Sequence, residues 1–202
     1  MTLNKTIILD SETTGLTKTD EIIQLAYFNL EFEQLSNIYV VALQTGVDQK
    51  FRPSVPINPH ASKVNGVQYK DLLKCPPSKS LLPPEATYVV GHNISFDKRM
   101  LLQTVDFAHT STIDKYKLIC TKELSQALDK KFGIGYENHK LDTLFAYYFP
   151  ELDNPEVHDG FYDCIKCGLI LSKLLQHLPS IDSFEKLYEF QQSLKKTKKI
   201  KI

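Results

Sequence analysis

The stretch Thr6-Ile7-Ile8-Leu9-Asp10-Ser11-Glu12-Thr13-Thr14-Gly15 passes from an apolar, β-branched run to two carboxylates and a glycine turn. Thr6 to Asp10 has the composition of a buried strand opening a domain. Asp10 and Glu12 stand two residues apart as that strand ends, so their side chains project to the same face. Two carboxylates held together repel each other and resist joint ionisation. Thr13-Thr14-Gly15 then turns the backbone sharply, setting small polar groups beside the acids.

Outward from this strand, Glu21–Phe32 and Asn37–Thr45 read as two more strands, antiparallel neighbours through a connection of hairpin length, Glu33-Gln34-Leu35-Ser36. Residues 46–60 read as a loop containing Pro and Gly, with Gln49–Arg52 a candidate extension of the pairing. Helical turns are expected around Ala61–Asn65 and Tyr69–Leu73, and loop over Cys75–Pro84, which holds four prolines. Thr87–Gly91 is a short buried strand followed by a helix over Ser95–Val105. Lys117–Cys120 is a last strand, and helices are predicted from Thr121 to about Lys131, over Leu141–Phe149, over Phe161–Leu178 and over Phe184–Lys195. Three strands, then alternating helix and strand, then helices describe an α/β fold, a mixed sheet with helices on its faces. No internal repeat and no linker divides the chain.

Length and composition agree. The 202 residues are enough for one domain with a sizeable core, and 42% hydrophobic with 24% charged residues is ordinary globular composition. The longest apolar runs are too short to span a bilayer. The N-terminus shows no signal peptide, so a soluble cytoplasmic protein is the expectation. Formal charge is zero, which argues against a broad basic surface, but the distribution is uneven. Five lysines (Lys195, Lys196, Lys198, Lys199, Lys201) fall in the last eight residues, which reads as a mobile tail. Residues 1–194 carry 19 basic against 24 acidic residues. Cys75, Cys120, Cys164 and Cys167 do not form a disulfide framework; Cys164 and Cys167 lie inside a helical pattern and read as buried thiols.

Two further acids stand where solvent-facing residues are not expected. Asp97, in Gly91-His92-Asn93-Ile94-Ser95-Phe96-Asp97, is in register with Met100, Leu101 and Thr104, the inward face of its helix. Asp163 aligns with Cys167, Ile170 and Leu174, and His158 stands five residues before it. Four acids from three separated segments therefore face inward at the ends of neighbouring elements, and buried charge is costly without compensation. Arg52 and Arg99 are the only arginines, and no lysine stands at an obvious opposing position. An all-oxygen set of this kind suits Mg²⁺ or Mn²⁺, and a pair of such ions suits phosphoryl displacement.

Asp10-Ser11-Glu12-Thr13-Thr14-Gly15-Leu16, then Asn93-Ile94-Ser95-Phe96-Asp97, then His158 with Asp163, resemble the three ordered motifs of the DEDDh 3′→5′ exonucleases. These are the DnaQ-like group of the RNase H-like superfamily. The resemblance spans residues 6 to about 178 and is greatest to exonuclease X-type and polymerase III epsilon-type members. It implies an RNase H-like sheet of five strands, three antiparallel and then parallel, with the exonuclease domain in residues 1–180 and a C-terminal helix and lysine-rich tail in 181–202.

The resemblance also implies that Asp10, Glu12, Asp97 and Asp163 hold two Mg²⁺ ions, for which Mn²⁺ can substitute, and that His158 is the general base. An imidazole titrating near about pH 6.5 is suited to that task. Thr13, Thr14, Gly15 and Leu16 would meet the terminal nucleotide, with His92, Asn93 and Phe96 lining the same pocket. Asn65 stands where many relatives carry His. The activity implied is release of nucleoside 5′-monophosphates from 3′ ends of single-stranded DNA. The alternatives are an exoribonuclease and a polymerase-associated or scaffolding subunit whose turnover is incidental; a homodimer or a polymerase partner is left open.

Overall fold

β1 (Thr6–Thr13) is the central strand of a five-stranded sheet. On one side it pairs antiparallel with β2 (Ile22–Leu35), which pairs antiparallel with β3 (Ile38–Lys50). On the other it pairs parallel with β4 (Tyr88–Gly91), which pairs parallel with β5 (Lys117–Cys120). The order β3-β2-β1-β4-β5 is the mixed α/β sheet expected from the sequence. The computed structural model describes residues 5–154 and 158–199.

The period-two alternation of β1 sorts its residues between two layers. Ile7 and Leu9 face α2 (Ser95–Thr104) and α3 (Thr110–Asp114), in a core with Val89, Ile94, Met100, Leu101 and Ile113. Ile8 faces the opposite layer of α4 (Thr121–Phe132), α5 (Leu141–Tyr148), α6 (Gly160–Leu175) and α7 (Phe184–Lys199). Long, apolar α6 lies across β1, β2 and β3, burying Cys164, Cys167, Ile170, Leu171 and Leu174. Each such fully buried Leu or Ile contributes roughly 1.5–3 kcal/mol. All three thiols of Cys120, Cys164 and Cys167 are buried and free.

Three local expectations are corrected. β3 does not stop at Thr45 but continues to Lys50, because Gly46 lies opposite Phe28 rather than in a turn. A Cβ at Gly46 would come within 2.5 Å of the Phe28 ring, so the glycine answers a close approach inside the sheet. A short helix, α1 (Pro59–Asn65), starts two residues before the predicted turn; Asn58 caps it by accepting from the His60 amide. The lysine-rich end is helical through Lys199, Lys195 meeting Glu123 at 3.0 Å; Lys201 lies outside the described residues. Lysine is a good helix former and suits the negative end of the helix dipole.

The apolar face of α7 is spent within the domain. Phe184 and Leu187 join the core beside α6, and the Gln191 side chain accepts from the Cys120 amide at 2.8 Å. No described helix is long and apolar enough to cross a membrane.

Candidate active site

The site forms where β1 ends against the N-terminal turns of α2 and α6. Asp10 and Glu12 lie on the α6 side of β1, as their spacing requires, while Ser11 between them points to the α2 side. Asp97, 3% exposed in the first turn of α2, uses one oxygen to accept from both the Ser11 amide (3.0 Å) and the Ser11 hydroxyl (2.7 Å). Asn93 positions this helix: its φ of 67° lets the chain leave β4 and turn into α2. Asn tolerates that left-handed conformation better than most residues.

From the opposite side, α6 begins at Gly160 against Asp10, where an added Cβ would lie 3.5 Å from the Asp10 carboxylate and backbone oxygens. Asp159 caps α6, accepting from the Phe161 and Tyr162 amides at 3.1 and 3.2 Å. Buried Gln24 of β2 ties this end to the sheet. Its amide donates to Asp159 (3.3 Å), and its carbonyl accepts from the Gly160 amide (3.4 Å). Asp163, 3% exposed, then faces Glu12 and His158. His158 Nδ1 lies 3.0 Å from Asp163 Oδ2, and the His158 backbone amide donates to the Val64 carbonyl of α1 (3.0 Å). One donor atom from each of Glu12, His158 and Asp163 lies within 4.8 Å of the other two.

The electrostatics follow from this crowding. Burial, then the charges of Asp97, Glu12 and Asp163, hold the Asp10 carboxyl well above its ordinary value. Burial and repulsion from Asp163 push Glu12 up to about 7, with His158 acting in the opposite sense. Burial likewise raises Asp97 to about 7, against the Ser11 hydrogen bonds. The hydrogen bond to Asp163 raises His158. Three carboxyls that cannot ionise freely together, with hard oxygen donors converging from both sides, fit divalent cations of the Mg²⁺ or Mn²⁺ type.

Glu12 and Asp97 bind protons in the native state up to about pH 7, where the unfolded chain has already released them. The metal-free protein is therefore expected to lose stability as pH rises from about 4.5 to 7. The raised His158 acts in the same direction above its ordinary value. Buried His92, lowered from 6.5 to about 4, opposes between those two values, where only the unfolded chain holds its proton. Thermal unfolding with chelator should show a falling midpoint across this window, and excess Mg²⁺ should flatten it; a rising midpoint without metal would contradict the assignment.

Beside the acids lies a cleft of about 380 Å³ lined by Ser11, Glu12, Thr13, Gly15, Leu16, Asn65 and Phe96 among others. Its size is that of a small-ligand site. Leu16, 71% exposed, projects at its mouth, and α1 forms its far wall. Gly15 is needed in this loop because a Cβ would come within 2.8 Å of the Asp20 carboxylate, which accepts from Thr14 and Thr17. Asn65 stands beside Glu12, whose carboxyl its side chain helps to hold down, while its amide donates weakly to the Thr13 carbonyl (3.4 Å) and its oxygen accepts from Val67.

The structure brings Asp10, Glu12, Asp97, Asp163 and His158 together, with Thr13, Gly15, Leu16 and Phe96 along the cleft. Thr14, His92 and Asn93 do not line it. Thr14 is fully buried, donating to Asp20, and Asn93 makes the turn into α2. His92 is held between the Thr121 hydroxyl (3.0 Å) and the His139 carbonyl (2.9 Å). One expectation is overturned: a lysine does oppose the acids. Lys166 is buried on α6, 2.6 Å from Asp142 and 3.3 Å from Asp163. Its i,i+3 spacing from Asp163 was a visible signal; Asp142, twenty-one residues from Asp163 along the chain, gave none.

The exonuclease family model RNase_T matches residues 7–171. No curated protein matches the chain by sequence. Among solved structures, the chain is similar to exonuclease X in complex with 5′-overhanging duplex DNA (TM-score 0.61, 19% identity, covering 92% of this chain and 99% of that one). It is also similar to E. coli exonuclease I in complex with a dT13 oligonucleotide (TM-score 0.67, 16% identity, 88% of this chain and 42% of that one). A zinc-bound complex of E. coli exonuclease I with single-stranded DNA gives a TM-score of 0.63 at 15% identity, over 93% of this chain and 42% of that one. The chain thus spans less than half the length of exonuclease I, and at these identities the likeness is one of fold.

Proposed function

The chain belongs to the RNase_T exonuclease family, DnaQ-like enzymes of the RNase H-like superfamily, and on that premise we propose that it is a metal-dependent 3′→5′ exonuclease acting on single-stranded DNA. The product is a nucleoside 5′-monophosphate. The observation that carries this reading is the convergence of Asp10, Glu12, Asp97 and Asp163 with His158 beside a cleft of nucleotide size. The exonuclease domain occupies residues 1–180, with 181–202 as its C-terminal helix and lysine-rich end.

Asp10, Glu12, Asp97 and Asp163 would hold the cations. Two bound Mg²⁺ or Mn²⁺ ions supply polarisation of the attacking water and neutralisation of charge on the leaving oxygen. His158 is the general base. Its Nδ1 is committed to Asp163 Oδ2, so Nε2 is the nitrogen that receives the proton. Water attacks phosphorus, the bond to the leaving 3′ oxygen breaks with its electron pair on that oxygen, which takes a proton from solvent, and the water proton passes to Nε2. Ser11 keeps Asp97 oriented through its two hydrogen bonds, and the Asp159 cap with Gln24 keeps α6, and so Asp163, in place.

Leu16 and Phe96 offer apolar surface to the terminal base, a contact that accepts any base because every base has a π face. Leu16→Ala should raise KM for oligonucleotides several-fold with kcat little changed, and leave stability within about 0.5 kcal/mol because the side chain is exposed. Steady-state kinetics and thermal unfolding check both halves. The DNA preference is tested by competing matched DNA and RNA oligonucleotides in one reaction and identifying the released mononucleotides by chromatography. Faster loss of DNA supports the reading; faster loss of RNA replaces DNA with RNA as the substrate.

A further inference from the structure

Lys166 is 1% exposed, one turn along α6 from Asp163. Its Nζ lies 2.6 Å from Asp142 Oδ1, and 3.3 Å from Asp163 Oδ1 as an ion pair without an aligned hydrogen bond. The remaining oxygens of the same two carboxylates meet the two nitrogens of His158. Asp163 Oδ2 lies 3.0 Å from Nδ1, and Asp142 Oδ2 lies 3.6 Å from Nε2. Four side chains from three segments thus close a ring: His158, Asp163, Lys166, Asp142. Phe145 and Tyr162 flank the ammonium, with ring centroids 5.9 and 5.3 Å away.

A buried ammonium is costly unless paired, and an apolar side chain of the same length would pack between those rings without that cost. The lysine therefore reads as a charge kept for what it does to its partners. We propose that Lys166 and Asp142 are positioning residues. Lys166 occupies the far side of Asp163, so that only the oxygen bonded to His158 is presented to the centre, and Asp142 stands beside Nε2, where its charge stabilises the imidazolium once Nε2 has taken the water proton. The proposal rests on the reading of Asp163 as a cation-holding group and His158 as the base.

The signs of its consequences differ from those of simple damage. Replacing Lys166 removes a positive charge beside Asp163 and frees the carboxylate to use both oxygens on one cation. Cation binding then tightens while the geometry for turnover is lost. Replacing Asp142 leaves the ammonium to Asp163 alone, weakening cation binding, and removes the charge that stabilises protonated His158.

The test uses the full chain carrying Lys166→Met, Lys166→Arg or Asp142→Asn. Mn²⁺ binding is measured by titration calorimetry without nucleic acid, and kcat and KM are measured on a single-stranded oligonucleotide. Lys166→Met should bind Mn²⁺ about threefold more tightly or better, because a like charge is gone. Its kcat should fall about tenfold or more with KM unchanged, as misplacement of a reacting group predicts. Lys166→Arg should stay near wild type on both. Unchanged or weaker Mn²⁺ binding by a folded Lys166→Met protein overturns the proposal. If circular dichroism shows that variant unfolded, Asp142→Asn decides: weaker Mn²⁺ binding with reduced kcat and unchanged KM supports the ring, and wild-type values overturn it. The Mn²⁺ measurement needs no substrate, so it separates failure of the ring from failure of the exonuclease reading, which wild-type turnover reports.

Discussion

Asp10→Asn is expected to abolish turnover while raising the thermal stability of the metal-free protein. Asp10 lies where β1, α2 and α6 meet, and Asp97, Glu12 and Asp163 all act to raise its pKa. Removing its charge withdraws an oxygen donor from the centre of the cation site, a loss of several kcal/mol of transition-state stabilisation. That corresponds to a fall in rate of about a thousandfold or more. The same change relieves repulsion among carboxylates that have no bound cation, so unfolding with chelator should move to higher temperature above about pH 7, where Glu12 and Asp97 are ionised. A variant both inactive and less stable would point to a structural role for Asp10. A variant that kept wild-type turnover would remove Asp10 from the chemistry.

His158→Ala is expected to lower kcat by about 10²–10⁴-fold, the range for a general base. The substrate-free protein should bind Mn²⁺ with nearly wild-type affinity. That second readout matters because His158, Glu12 and Asp163 are close enough together to share one ion. If His158 were a ligand rather than the base, its removal would weaken Mn²⁺ binding along with turnover. Calorimetric titration of the variant separates the two roles: preserved affinity with lost turnover assigns the base, and lost affinity assigns a ligand.

Most of the fold was legible because its strands and long helices announced themselves locally, whereas short α3 (Thr110–Asp114) did not. The alternation of Ile7, Ile8 and Leu9 marked a strand buried on both faces, and Pro150 and Pro179 bounded the helices. The end of β3 was not legible, since Gly46 signals a turn unless the Phe28 ring across the sheet is known. Within the site, Asp97 and Asp163 were found as carboxylates in register with apolar residues, an inconsistency with solvent exposure that one helix reveals by itself. Asp142, Asp159 and Gln24 could not be found this way. Each sits at an ordinary position on its own element, and its role arises only where another element arrives. His92 shows the converse: its place before Asp97 suggested the cleft, but its ring nitrogens are both taken by Thr121 and His139.

Digestion of a 5′-labelled single-stranded DNA by the wild-type chain tests whether these carboxylates and His158 form a cation-dependent site for removing nucleotides from 3′ ends. With Mg²⁺, a ladder of products shortening from the 3′ end is expected, and chelator should stop it. Internal cuts, shortening that persists in chelator, or an intact oligonucleotide in the presence of folded, Mn²⁺-binding protein would contradict it.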